Sequence, residues 1–196
     1  MPKRELVCPR CGSTRADKII SGTPTFELRE AGQRGEAFPG GSIVSDEAPV
    51  YGCLACHYQW GRHKGQSLIP LITAIKGFVG GFLGSSYSFE ADITTGQGRY
   101  EALGYGYRPV SGESKTKEIM VTREQWDRLL RALEKCDFEY WVDCYEDPDV
   151  LDGTHWEVEV TLNTGETIVK HGSNKFPGRW QQFCKAVSTL VGDTFR

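Results

Sequence analysis

The sequence predicts an α+β protein in which a small cysteine-rich module precedes a larger antiparallel sheet with two helices. Two CxxC pairs lie within the first 56 residues. From residue 85 onward, several segments alternate apolar and polar residues with period two, as half-buried strands do. Two further segments carry apolar residues at helical spacing. We therefore expect a first module over residues 1–66, a linker over 67–84 and an α+β domain over 85–196.

The two pairs, Cys8 with Cys11 and Cys53 with Cys56, predict a metal site. Each pair is short enough for both sulfurs to reach one ion, and four thiolates complete the tetrahedral ligand set that zinc prefers. Four protein ligands leave no open position for water or substrate. We therefore predict a structural Zn²⁺ ion in a zinc ribbon. The segments RELVC, DKIIS, APVYGC and HYQWGR are its expected strands.

Two histidines lie near the second pair. His57 stands where glycine usually follows the second cysteine, and it is an alternative ligand to a cysteine. His63, between Arg62 and Lys64, is more typical of a solvated turn than of a ligand. Between the pairs, Thr23 is the expected cap of a short helix in FELREA, with Gly32 at its end.

Composition bounds the class of protein. The chain has 196 residues, 39% hydrophobic and 25% charged, enough for one ordinary core plus a small module. Residues 1–66 carry nine basic and seven acidic residues, and residues 67–196 carry fourteen and nineteen. This asymmetry disfavours nucleic-acid binding by the second domain and leaves it open for the ribbon. No apolar run follows MPKREL, so we expect neither a signal nor a transit peptide and place the thiols in the cytoplasm.

The most apolar segment, SLIPLITAIKGFVGGFLG at residues 67–84, superficially resembles a membrane span. Pro70, Lys76 and four glycines interrupt it, and it falls short of about 20 residues. We predict a glycine-rich linker or buried segment and no membrane association.

The remaining elements follow in chain order. YSFEADI and RYEALGYGY are expected to form a hairpin, with KTKEIMV as the next strand. Thr122 and Gln125 form a capping box at the start of a helix. HWEVEVTL and ETIVK form a second hairpin around the turn NTG. The inner faces of the two helices comprise Trp126, Leu129, Leu130 and Leu133, then Trp180, Phe183, Cys184, Val187, Leu190 and Val191.

Two segments resemble bacterial families. CPRCGS with GGSIVSDEAPVYGCLACHYQWG is similar to bacterial zinc-ribbon proteins that carry CPxCGS, GGxxxSDxxP and CxxCGxxWG. The matching residues are Gly40, Gly41, Ser45, Asp46, Pro49, Trp60 and Gly61, whereas His57 departs from the pattern. DGTHWEVEV with GSNKFP resembles a bacterial α+β domain with DGTxW and GSNxxP motifs. These resemblances imply a bacterial or phage protein with a metal-stabilised N-terminus, and neither implies an activity.

The sequence assigns no catalytic residue. Asp149 and Glu157 invite comparison with PD-(D/E)xK nucleases, but the strand has no lysine at the position that activates water. His155, Glu157 and Glu159 alternate with apolar residues, as on an ordinary half-exposed sheet. Cys184 with His171 resembles a nucleophile and base, yet Cys184 lies on an apolar helix face. Around GSN, residues Ser173 and Asn174 are candidate helix caps, and Lys175 and Arg179 are candidate anion ligands.

The segment from Cys136 to Asp152 is the predicted partner surface. It is rich in acidic residues, interleaved with aromatic ones, and contains no basic residue. Aromatic side chains supply contact energy, and the charges speed association with a basic protein partner. We therefore predict a binding or adaptor protein; the alternative is a nucleic-acid-binding protein or nucleic-acid-acting enzyme that docks through the ribbon. The predicted contact residues are Trp141, Asp143, Tyr145, Glu146 and Asp147.

Overall fold

The computed structural model divides the chain into two compact units, Met1–Ser67 and Leu68–Arg196. The fold class is α+β, as the sequence predicts. Several residues singled out by the sequence, among them Gly41, Asp46, His63 and Pro148, lie outside the part of the chain that the structure describes. The described residues are 5–23, 25–40, 45, 48–62, 66–81, 84–104, 114–147, 149–150 and 153–196.

The first unit contains a small mixed sheet and one helix among its described residues. The strands lie in the order β2-β1-β3-β4, with β1 and β2 parallel and the other neighbours antiparallel. The predicted hairpin around the second cysteine pair is therefore present as β3 and β4. The elements are β1 (Ala16–Ile20), α1 (Phe26–Gln33), β2 (Phe38–Pro39), β3 (Tyr51–Cys53) and β4 (Gln59–Trp60).

Three sequence predictions in this unit are wrong. The described residues of RELVC form no strand, because the chain there turns around the first cysteine pair instead of pairing with a neighbour. Helix α1 is capped by Thr25 and not by Thr23: the Thr25 hydroxyl accepts a hydrogen bond from the Leu28 amide at 3.3 Å. The helix also runs through Gly32 instead of ending there.

The second unit is built on one large sheet, which has seven strands among the described residues, in the order β8-β7-β6-β5-β10-β11-β9. All neighbours are antiparallel except β9 and β11, which are parallel. The strands are β5 (Ile72–Gly81), β6 (Ser86–Asp92), β7 (Gln97–Leu103), β8 (Lys115–Met120), β9 (Cys144–Glu146), β10 (Thr154–Leu162) and β11 (Thr167–Ser173).

The predicted linker over residues 67–84 is wrong. Most of this segment is β5, which lies between β6 and β10 near the middle of the sheet. Its glycines make room for neighbouring side chains: a Cβ at Gly77 would lie 2.6 Å from the Phe89 ring, and one at Gly80 would overlap Ser86. The alternative that this segment is buried therefore describes it better.

Both helices of this unit bury their apolar stripes in the same core as the inner face of the sheet. The helices are α2 (Arg123–Lys135) and α3 (Trp180–Val191). Thr122 and Gln125 form the predicted capping box of α2, with the Gln125 amide donating to the Thr122 hydroxyl at 3.3 Å. In the described part of the chain, no helix has the length and apolar character needed to cross a membrane.

The face of the sheet opposite the helices is exposed and charged. Across five neighbouring strands, residues in one row pair in register and alternate in sign. Lys76 Nζ lies 2.8 Å from a Glu159 carboxylate oxygen, so at least one step of this row is an ion pair. From β10 to β8 the row is Glu159, Lys76, Glu90, Arg99 and Glu118.

Candidate functional site

The sheet of the first unit brings the two cysteine pairs together. Strand β1 follows the first pair and lies antiparallel to β3, which contains the first cysteine of the second pair. Ala16 is the register partner of Cys53, and the Leu54 amide donates to the Arg15 carbonyl at 2.8 Å. Cysteines that are more than 40 residues apart in sequence therefore face one another.

The two pairs share the same hydrogen-bonded turn. In each, the amide four residues after the first cysteine donates to that cysteine's carbonyl at 2.9 Å, from Gly12 to Cys8 and from His57 to Cys53. Both donors have a positive φ, 72° at Gly12 and 57° at His57. This turn aims amides toward sulfur, and the Ala55 amide donates to Cys53 Sγ at 3.4 Å.

The four sulfurs form one compact group, as the sequence predicts. Cys8 Sγ lies 3.7 Å from Cys56 Sγ, and Cys11 Sγ lies 3.7 Å from Cys53 Sγ. All four lie within 4.8 Å of one another, which makes the group able to hold a metal ion. Among the described residues, no other group of three or more cysteine, histidine or carboxylate side chains has its donor atoms this close together.

The four thiols have unequal electrostatic surroundings. Burial raises the pKa of Cys8 well above its ordinary value, and burial likewise raises the pKa of Cys56. Burial acts in the same direction on Cys53, but hydrogen bonds from the Cys56 and Ala55 amides hold the pKa of Cys53 below its ordinary value. A cation that replaces the thiol protons removes the cost of burying these sulfurs as anions.

His57 is not part of the four-sulfur group. Its exposed ring lies against Phe38, with ring centroids 6.5 Å apart. The sequence alternative in which His57 replaces a cysteine as ligand therefore has no support in this geometry. His57 occupies the glycine position of the turn at a conformation that side chains other than glycine seldom adopt.

The acidic segment is only partly a surface. Trp141 and Tyr145 are each 2% exposed and belong to the core. The sequence prediction that these two residues lie on an exposed partner surface is therefore wrong. The Trp141 ring packs against Trp156, Trp180 and Phe183, and its Nε1 donates to the Cys136 carbonyl at 2.9 Å. An isolated sequence does not reveal this burial because the ring's neighbours come from distant elements.

The acids of this segment remain accessible but have basic neighbours from elsewhere in the chain. The Asp143 side chain is 84% exposed, and Lys170 Nζ lies 2.7 Å from its carboxylate. Lys170 also donates to the Trp141 carbonyl at 2.8 Å, and it lowers the pKa of Asp143 below its ordinary value. Glu146 is exposed and Asp147 is half-buried. Sequence reasoning missed Lys170, although its place on the inward side of an alternating strand is a usable signal.

The alternatives of a Cys184 nucleophile and of an Asn174 helix cap find little support. Cys184 is buried, and burial raises the pKa of its thiol to about 12, so it is a core residue. His171 lies on β11, and its register partner is Cys144. Asn174 does not cap α3, because its Oδ1 accepts from the Thr154 amide at 2.8 Å and Arg179 occupies the cap position.

No protein-family model, curated protein or solved structure matches this chain. The two resemblances noted in the sequence therefore remain predictions drawn from their motifs.

Proposed function

We propose that Cys8, Cys11, Cys53 and Cys56 hold a structural Zn²⁺ ion in a zinc ribbon, and that the protein is a zinc-stabilised binding or adaptor protein. The spacing of the sulfurs carries this proposal. A tetrahedral site with Zn–S bonds of about 2.3 Å has sulfur–sulfur edges of about 3.8 Å. Two of the observed edges are 3.7 Å. Four thiolates are also the donor set that favours zinc over hard cations.

The role of this ion is to stabilise the first unit. In the described part of that unit, the buried apolar side chains are those of Cys8, Cys53 and Trp60, with Pro9 also buried, and α1 buries none. So small a core contributes little folding free energy, whereas structural zinc contributes on the order of 10 kcal/mol. Four protein ligands leave no position for a substrate, so the ion holds the fold and does no chemistry.

The test is metal analysis of the purified protein together with the variant Cys53→Ser. We expect one zinc per chain in the natural protein. Cys53→Ser is expected to lose the ion and to unfold the first unit while the second keeps its fold, because the second unit has its own large core. Near-UV circular dichroism follows the tryptophan cluster of the second unit, and amide NMR follows the first.

The matched control is Cys144→Ser, which changes an exposed thiol outside the group and is expected to keep the ion. Less than about half an equivalent of metal in a fully folded natural protein would contradict the structural-zinc proposal.

The partner surface in this proposal is the acidic set Asp143, Glu146 and Asp147, of which the first two are exposed and the third is half-buried. Its negative charge favours a basic protein partner. The charge of residues 67–196, with nineteen acidic against fourteen basic residues, supports protein over nucleic acid as the partner. Thiolate ligands also favour a reducing compartment, the cytoplasm.

A nucleic-acid-acting enzyme is the alternative. One observation favours an enzymatic site in the second unit: several polar side chains line a single depression of about 560 Å³ on the open face of the sheet.

A further inference from the structure

A groove of about 420 Å³ lies between α2 and α3. On each helix its lining residues recur at spacings of three and four, so they form one continuous stripe along that helix. The α2 stripe includes Arg128, Ala132 and Lys135, and the α3 stripe includes Lys185, Ala186 and Thr189. The groove therefore follows both helices for about two turns.

The floor of the groove is apolar and low. Leu129 and Leu190 line it and are buried, 2% and 6% exposed, while Ala132 and Ala186 line it and are half-buried. An alanine side chain extends only one carbon from the backbone, and such small residues let another element pack close to a helix surface. The floor is therefore suited to apolar side chains of an occupant.

The rim of the groove is cationic. Among the described residues that line the groove, Arg128, Lys135 and Lys185 are exposed and none is a carboxylate. Arg128 pairs at 2.8 Å with Glu124, which lies on the same helix outside the lining. Lys185 is the one charged residue of α3 and forms no ion pair with any described residue. Its charge is therefore available to an occupant, although residues 67–196 as a whole are acidic.

We propose that this groove binds an amphipathic helix of a partner protein, with acidic residues on both sides of the helix's apolar face. Helices of this kind bind by laying their apolar side chains into a groove. Arg128 and Lys135 are seven residues apart, about 10 Å along α2, and Lys185 lies on the other helix. Cations spread in this way match several carboxylates spaced along a helix better than the single head group of a fatty acid.

This surface goes beyond the acidic set Asp143, Glu146 and Asp147. That set lies on and beside β9 and favours a basic partner, whereas the groove belongs to α2 and α3 and favours an acidic one. The two surfaces share no residue. Either assignment can therefore fail without the other.

The experiment titrates zinc-loaded full-length protein into fluorescent helical peptides and measures their anisotropy. The peptides carry Leu, Phe or Met at i, i+3, i+4 and i+7 and Glu on both sides of that stripe. We expect the tightest of them to bind with a Kd below about 50 μM. Matched peptides with Lys in place of every Glu are expected to bind at least about tenfold more weakly, because the rim repels them.

Two variants test the groove itself. Lys185→Glu is expected to weaken binding of the acidic peptide about tenfold, because it places a carboxylate on the rim, and to leave thermal unfolding unchanged, since the side chain is exposed. Ala186→Gln is expected to weaken binding by filling the floor. The matched control is Arg131→Glu, which makes the same kind of charge change at an exposed position of α2 outside the lining. It is expected to change the affinity less than about threefold.

Other occupants give other results. Dodecanoate that binds while no acidic peptide does would assign the groove to a small amphiphile, and self-association that Lys185→Glu abolishes, without peptide binding, would assign it to a second copy of this chain. Either result would overturn the inference. It is also wrong if no acidic peptide binds below about 50 μM, or if Lys185→Glu binds the peptide as tightly as the natural protein does.

Discussion

At the scale of single residues, the two cysteine turns show what a sequence reveals and what it conceals. The cysteine spacing is local, and the sequence predicts correctly that these four cysteines form a group able to hold a metal ion. The left-handed conformation after each pair is equally local, and the glycine at position 12 fits it. The environment of Trp141 and Tyr145 is not local, because residues far along the chain bury them, and the sequence prediction of an exposed aromatic surface fails there.

His57 provides a prediction at this scale. It holds a φ of 57° without being a glycine, which costs about 1 kcal/mol. His57→Gly is therefore expected to stabilise the first unit by up to about 1 kcal/mol, with a small offset from the lost contact with Phe38. His57→Val is expected to destabilise it, because branching at Cβ makes this conformation worse.

Thermal unfolding of the zinc-bound protein, followed by amide NMR of the first unit, measures both effects. Zinc content serves as the control and is expected to stay at one equivalent in both variants. Loss of the ion from His57→Gly would instead show that the ring is a ligand.

At the scale of elements, glycine is the source of the largest error. A glycine-rich apolar segment is typical of linkers, yet in β5 the glycines are places where the sheet admits the side chains of neighbouring strands. Close packing against a glycine also explains the DGTxW and GSNxxP motifs, which contain Gly153 and Gly172. Gly153 lies against the Asn174 amide group, and Gly172 lies against the Trp156 ring. These motifs hold β10 to β11 and are structural.

Gly77→Ala tests this account of β5. The added Cβ would lie 2.6 Å from the Phe89 ring and 3.3 Å from the Glu157 carbonyl oxygen, so we expect a loss of about 1–3 kcal/mol in the free energy of unfolding. Lys76→Gln is the control, because that side chain is 54% exposed and its loss is expected to cost less than about 1 kcal/mol. Urea unfolding measures both. Equal stability of Gly77→Ala and the natural protein would contradict the close packing of β5 against Phe89.

At the scale of the whole molecule, the pattern of apolar and polar residues predicted the α+β class, but not the order of strands. Strand order depends on which distant segments pair, and here β5 pairs with β10 across about 70 intervening residues. The charge balance is also a property of the whole chain, whose net charge is −3. This negative net charge makes the electrostatic potential around the protein negative at long range, which attracts basic partners.

The partner prediction belongs to this scale. Changing Asp143, Glu146 and Asp147 to lysine is expected to slow association with partners captured from host lysate, because the attraction of a basic partner is lost. The slowing is expected to shrink as salt rises, since ions screen exposed charges within about 10 Å at 0.1 M. Biosensor association rates measure the effect.

Stability is the control for the charge reversal. Asp143→Lys replaces the ion pair with Lys170 by two cations, and because the Lys170 side chain is only 10% exposed we expect a loss of about 1–3 kcal/mol in the free energy of unfolding. Association rates are therefore compared at a temperature at which the variant is fully folded. Unchanged association rates at low salt would place the partner surface elsewhere.

The central position of β5 also has a consequence for synthesis on the ribosome. Strand β5 leaves the ribosome before both of its neighbours. It can pair with β6 as soon as β6 emerges, but its other edge has no partner until β10 has been synthesised. At about 5–20 residues per second, the wait lasts roughly 4 to 14 seconds. During that time a long apolar strand edge is exposed to other nascent chains, and such edges readily pair with foreign strands. We therefore expect the yield of folded protein to fall as the concentration of nascent chains rises, because each encounter competes with β10 for the open edge of β5.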